Sequence, residues 1–330
     1  MPSSDTKNRA ARSLGRACAR LGLTALLLLG CASAPSGQPA AASGAPECRS
    51  ARVAVQVLGS GGPIAEGSRA SSSYLVWMDG KARVLVDAGG GAKLRFGEAK
   101  ARIEDLDVIA ISHLHVDHVA DLIALLKAGY FADRSRPLPI VGPSAGADFP
   151  SMEEFLRGQL DAERGAYRYL KGYLDGTEDL FAAPPIVVDA SGAAAAEVYR
   201  GEGLVVEAVG VHHGRIPSLG FIVTARDRRI AFAGDQSGDA PKFWERAAGA
   251  GLLVVHHAIP EGAGKGVQDL HATPSTLARL ASQAKVEHLV LSHNMQRSLE
   301  GRDKAMATIR RAYSGQLTLA DDLQCFVLTP

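Results

Sequence analysis

Ser112-His113-Leu114-His115-Val116-Asp117-His118 places four potential metal ligands within six residues. Side chains alternate across a strand and return every three to four residues on a helix, so these four cannot share one face of either. They fit a loop leaving the apolar stretch 107–111, where turns aim His113 and His115 one way and Asp117 and His118 another. Imidazole nitrogens with carboxylate oxygens suit Zn2+ and neighbouring transition metals. A plain polar surface loop is a poor alternative, because five of the chain's ten histidines fall here and at His212-His213.

Strand-like and helical runs alternate on both sides of that loop. Residues 52–58 form a β-branched run stopped by Gly59-Ser60-Gly61-Gly62-Pro63. Residues 73–78 and 82–86 flank Asp79-Gly80, a dipeptide that suits a hairpin turn. A strand over 107–111 and a helix over 119–127 follow. Ser151 and Glu154 have the spacing of a capping box, which predicts a helix running to about residue 173. Strands are expected over 204–211, 220–224, 230–233, 252–255 and 288–291. Thr273 with Pro274 at the first helical position opens the helix between the last two. The order is that of an α/β protein with two similar halves.

Composition agrees. The chain has 330 residues, and a hydrophobic fraction of 46% excludes a wholly disordered protein. Residues 1–30 carry Lys7, Arg9, Arg12, Arg16 and Arg20 against Asp5, which leaves the rest of the chain at about −3 out of a total of +1. A mildly acidic body is a poor electrostatic match for a nucleic-acid backbone. The basic segment precedes an apolar run of about ten residues, Leu21 to Gly30, too short to span a bilayer and suited to an export signal. Leu28-Leu29-Gly30-Cys31 resembles a lipoprotein box, and Ala32-Ser33-Ala34 offers an ordinary cleavage site instead. The expected organisation is a signal at 1–30, a flexible tether at 31–50 and one hydrolase domain at 51–330. The expected location is the periplasm or outer membrane of a Gram-negative bacterium, with membrane contact only through a lipid at Cys31. Export would leave Cys48 and Cys325 either bridged or as two free thiols.

His113-Leu114-His115-Val116-Asp117-His118 resembles the HxHxDH signature of the metallo-β-lactamase superfamily. Leu58 to Pro63, Arg69-Ala70-Ser71-Ser72-Ser73 and Leu85-Val86-Asp87-Ala88-Gly89 resemble the opening of its RNase Z and arylsulfatase-like branch. The resemblance continues through Leu138 to Pro143, His213-Gly214, Pro217 to Phe221, Phe232-Ala233-Gly234-Asp235 and Leu291-Ser292-His293. It implies an αββα sandwich of two mixed sheets flanked by helices. It also implies two divalent metal ions, zinc first, with manganese or iron(II) as alternatives. His113, His115 and His213 would hold one and Asp117, His118 and His293 the other, with Asp235 bridging; His212 competes with His213. Asp87 would orient a ligand from behind. Metals so paired generate hydroxide at neutral pH and stabilise charge on an ester under attack.

The branch has a His-Glu-Ala-Thr segment, and here the matching stretch is His256-His257-Ala258-Ile259. His257 therefore stands where the acid is expected, and His271 matches the later proton-moving histidine. Asp117, His257 and His271 are the candidate catalytic groups. The branch's long Gly/Pro-rich arm is not evident. The resulting expectation is hydrolysis of a small-molecule phosphodiester or sulfate ester, with no nucleic-acid partner. A lactonase or β-lactamase-like hydrolase and a non-catalytic metal-binding lipoprotein are the alternatives.

Overall fold

The computed structural model describes residues 45–329 apart from 66, 147 and 193. The proposed signal, Cys31 and most of the tether lie outside the described residues.

The chain lays down two seven-stranded sheets in succession. In the first, β1 (Val53–Gly59), β2 (Ser73–Met78) and β3 (Lys81–Val86) are antiparallel. β4 (Val108–Ala110), β5 (Ile140–Pro143) and β6 (Pro185–Val188) then add in parallel. In the second, β7 (Ala195–Gly201), β8 (Leu204–Val211), β9 (Ser218–Ala225) and β10 (Arg228–Phe232) are antiparallel. β11 (Leu252–His256), β12 (His288–Ser292) and β13 (Gln316–Leu319) extend it in parallel. β14 (Cys325–Val327) crosses back to pair with β1.

The layering follows from two-residue periodicity on strands buried on both faces. Val53, Val55 and Val57 of β1 and Tyr74 and Val76 of β2 share one buried cluster with Phe221, Leu252, Val254 and Val290 of the second sheet. The alternate residues Leu75, Leu85 and Ile109 pack on Leu122, Leu126 and Leu156 from helices. Leu253, Val255 and Leu289 likewise pack on Phe243, Leu277 and Ile309. Helices thus cover the outer face of each sheet, which is the expected αββα sandwich. Each fully buried side chain of this size contributes about 1.5–3 kcal/mol.

Several local expectations need correction. The helix capped by Ser151 ends at Leu160, and a separate 3-10 helix covers Arg168–Leu174. Asp161 ends it: its Oδ1 accepts from the Glu163 and Arg164 amides, offering the backbone a turn in place of another helical bond. The helix expected over 119–127 is two pieces, Val116–Val119 and Leu122–Gly129. Asp121 sits at the break, its Oδ2 accepting from the Gly91 and Lys93 amides. The last six residues assigned to the tether form a helix, Ala45–Ser50, pinned by a disulfide between the buried Cys48 and the half-buried Cys325. That bridge decides between the two cysteine readings.

Candidate metal centre

The candidate residues meet because they all follow strand ends at one edge of the sandwich. Asp87 follows β3, His113 and His115 lie on the loop after β4, Asp117 and His118 sit on the short helix Val116–Val119 that closes that loop, and His213 follows β8. Asp235, His256 and His293 stand at or just beyond the ends of β10, β11 and β12. Two of these turns hold a non-glycine residue at positive φ, Asp87 at 57° and His293 at 53°, a strain that surrounding contacts must hold in place. Gly234, at φ 62°, brings the chain so close to Leu219 that a Cβ would lie 2.7 Å from its carbonyl oxygen. Only glycine meets both demands there, and it delivers Asp235 into the centre.

Asp235 is the hub. Its Oδ2 lies 3.6–3.7 Å from Nε2 of His113, His118 and His213, and its Oδ1 lies 3.6 Å from Nε2 of His293. Asp117 Oδ2 is 3.1 Å from His293 Nε2 and 3.5 Å from His118 Nε2. His115 Nδ1 is 3.0 Å from His113 Nε2. The ligand-capable atoms form two sets, His113, His115, His213 and Asp235, and His118, Asp235, His256 and His293. His213 is in the first set. His212 is half-exposed and meets Asp269 at 2.8 Å, away from the cluster.

The far nitrogens of these rings are anchored. His118 Nδ1 donates to Asp87 Oδ2 at 2.8 Å, and His213 Nδ1 donates to the Leu270 carbonyl at 2.7 Å. Asp87 Oδ1 also accepts from the Ser112 amide at 2.7 Å, so one carboxylate fixes both the loop and the ring. That pattern leaves Nε2 of His118 and His213 buried with no hydrogen-bond partner among the described residues. Buried polar atoms without partners are costly, and here they converge with a carboxylate. The donor set fits divalent cations.

Charge in the cluster divides sharply. Burial pushes His113 well below the usual imidazole range, and it also lowers His115 and His213. Burial also opposes charge on His118, but Asp87, Asp117 and Asp235 outweigh it and raise that imidazole well above its usual value. Asp117 and Asp235 are held well below the carboxylate range, since the surrounding imidazoles overcome their burial. Burial takes His256 down to about 4 and His271 down to about 3.

His256 had no assigned role from sequence, yet its Nδ1 lies 2.6 Å from Asp235 Oδ1. His271 also joins the cluster, with Nδ1 3.7 Å from the same oxygen. His257 does not. Among the described residues no hydrogen bond or ring contact links it to His271, and both of its ring nitrogens lack a hydrogen-bond partner. It is buried, and burial lowers its pKa. The expected His257–His271 pair is therefore not brought together.

The metallo-beta-lactamase superfamily pattern matches residues 67–293, and the chain belongs to that superfamily. Ribonuclease Z of Mycobacterium avium (strain 104) is 30% identical over 283 residues, covering 82% of this chain and 96% of the relative. Ribonuclease Z of Mycobacterium sp. (strain KMS) is 32% identical over 289 residues, covering 82% and 94%. In structure, human tRNase Z, short form, superposes with a TM-score of 0.63 at 23% identity over 84% of this chain and all of its own. The metallo-beta-lactamase fold protein YhfI from Bacillus subtilis gives 0.63 at 19% identity, covering 83% and 98%. With this ancestry and this donor set, the chain is a metal-dependent hydrolase. The comparisons also overturn the expectation of a small-molecule ester substrate without nucleic acid, because relatives matched over almost their whole length are ribonucleases. The net charge of a whole body says little about the field in one cleft, which is why that exclusion failed.

Proposed function

We propose that this superfamily member is a two-metal phosphodiesterase that cleaves RNA. The observation that carries the reading is the convergence of the five proposed histidine ligands and Asp117 around Asp235, in a chain whose ribonuclease Z relatives match over 94–96% of their length. In this reading His113, His115 and His213 would hold one cation and Asp117, His118 and His293 the other, with Asp235 common to both groups of ligand-capable residues. Zinc suits that donor set. Two cations at such a centre supply Lewis acidity to the phosphoryl oxygens and activate water.

The chain's own groups do the rest. Asp87 holds His118 in one orientation, and the Leu270 carbonyl does the same for His213. His271, beside Asp235 and the rings of His213 and His293, has a donor and an acceptor nitrogen with which to move a proton at the leaving oxygen. The N-terminal pattern adds export through Cys31 to the reading, which would direct the enzyme to RNA outside the cytoplasm.

The test is cleavage of two labelled RNAs, a precursor tRNA with a 3′ trailer and an unstructured strand, by zinc-loaded protein and by Asp235→Ala. Metal-dependent cleavage of either RNA, abolished by the substitution, is expected. Intact RNA in both reactions with a fully metallated protein would sink the reading.

A further inference from the structure

Three buried polar residues outside the proposed ligand set occupy positions where strand periodicity would place aliphatic side chains. Tyr74 continues the inward-facing row of β2 that includes Val76. His256 extends the Leu252, Val254 row of β11, and Ser292 follows Val290 on β12. His256 and Ser292 are paired neighbours in the second sheet, and Tyr74 reaches both from the first. Tyr74 Oη lies 3.1 Å from His256 Nε2 and 2.9 Å from Ser292 Oγ. His256 Nδ1 in turn lies 2.6 Å from Asp235 Oδ1. All four side chains are at most 5% exposed.

Hydrogen counting gives this chain a direction. The Asp235 carboxylate only accepts, so His256 Nδ1 carries a proton and donates it. In the neutral imidazole Nε2 is then the acceptor, and Tyr74 must be its donor. The Tyr74 hydroxyl also meets Ser292 Oγ, so one buried chain links Ser292, Tyr74, His256 and Asp235. With Oδ1 taken by His256, Oδ2 is the oxygen turned toward His113, His118 and His213.

We propose that Tyr74 is a positioning residue: its hydroxyl, braced by Ser292, holds His256 so that His256 locks the Asp235 carboxylate with Oδ2 facing His113, His118 and His213. The inference rests on the reading of Asp235 as a metal ligand. It assigns a role across the sheet interface to Tyr74 and Ser292, which lie outside both sets of ligand-capable atoms. Losing an outer partner of this kind weakens metal binding about 10–100-fold in comparable centres.

The test is Tyr74→Phe, which keeps the ring against Phe232 and removes only the hydroxyl. Zinc affinity is measured by competition with a chromophoric chelator, and the cobalt(II)-substituted protein is compared by its visible absorption bands. The expected result is about 10–100-fold weaker zinc binding, shifted cobalt bands, and on RNA a fall in kcat with KM little changed. Ser292→Ala should shift the bands in the same direction by less, and the double variant should be no worse than Tyr74→Phe. Wild-type affinity and bands in Tyr74→Phe overturn the proposal, even if its melting temperature falls. If Tyr74→Phe does not fold, unchanged cobalt bands in Ser292→Ala overturn it. Wild-type protein that takes up no metal would instead overturn the metal-centre reading, and this inference with it.

Discussion

Asp87 Oδ2 accepts from His118 Nδ1 at 2.8 Å while Oδ1 accepts from the Ser112 amide at 2.7 Å, so one buried carboxylate sets both the ring and the start of its loop. Its backbone is strained, with φ at 57°. The side chain's three bonds, from the Ser112 amide, the Ser112 hydroxyl and His118 Nδ1, and the Asp87 amide's bond to the Ala110 carbonyl keep it there. Asp87→Asn retains the shape but removes the charge, and should weaken metal binding about 10–100-fold. Asp87→Ala should cost more, since it frees the loop as well. Zinc titration of both variants checks the order. Equal affinity in wild type and Asp87→Asn would mean that Asp87 serves only the backbone.

The metal assignment predicts a pattern of losses. Wild-type protein purified without chelator should carry about two transition-metal ions per chain by elemental analysis. His115→Ala should lower that count toward one. Asp235→Ala faces both sets and should abolish RNA cleavage more completely than Asp87→Ala. His213→Ala should lose metal, while His212→Ala, whose ring is turned to Asp269, should keep the full count. A metal loss in His212→Ala matching that of His213→Ala would reverse the choice between the two.

The metal cluster was legible because its signal is local chemistry. His113 to His118 announce themselves by residue type and spacing, and Asp235 and His293 by the short motifs around them. His256 was missed because the strand was ended at Val255. Counting in twos from Leu252 one position further would have put a histidine on the face between the sheets. β6 and β7 went unread because their residues are mostly half-buried, so neither shows the continuous apolar run of a central strand. The break at Asp161 depended on a side chain competing with the helix, which the Ser151 capping box does not reveal. The bridge from Cys48 to Cys325 needed tertiary proximity across 277 positions.

The histidines following β11 should separate in their kinetics. His271 borders Asp235 at 3.7 Å, whereas His257 is buried with no hydrogen bond or ion pair to Asp235 among the described residues, and neither belongs to the proposed ligand set. His271→Ala should reduce turnover on RNA by about 10²–10⁴-fold, and should cost far less on an activated nitrophenyl phosphodiester reporter, whose leaving group needs no proton. His257→Ala should cost much less on RNA and lose similarly on both. Metal content is measured alongside, and should stay at the wild-type level in each. A leaving-group-dependent loss in His257→Ala as large as that of His271→Ala would restore the catalytic pair expected from sequence.

Acid should act on the fold through His288, well away from the metal centre. His288 opens β12 with Nε2 2.9 Å from Thr318 Oγ1 and its ring edge-on to Phe326. Burial, with a smaller contribution from Arg310, lowers its pKa below the ordinary imidazole value. In the unfolded chain the same group titrates near 6.5. Above that pH both states are neutral and His288 costs nothing. As pH falls below about 6.5 the unfolded chain takes up a proton that the folded protein resists, so stability declines until the folded pKa is passed. His288→Gln keeps a hydrogen-bonding group for Thr318 and has no proton to gain. Thermal unfolding at pH 7.5 and 5.5 should therefore show a larger drop in Tm for wild type than for His288→Gln. Other buried histidines contribute to the drop in both proteins, so the difference between the two drops isolates this residue. Identical drops would show that His288 has the same proton affinity folded and unfolded.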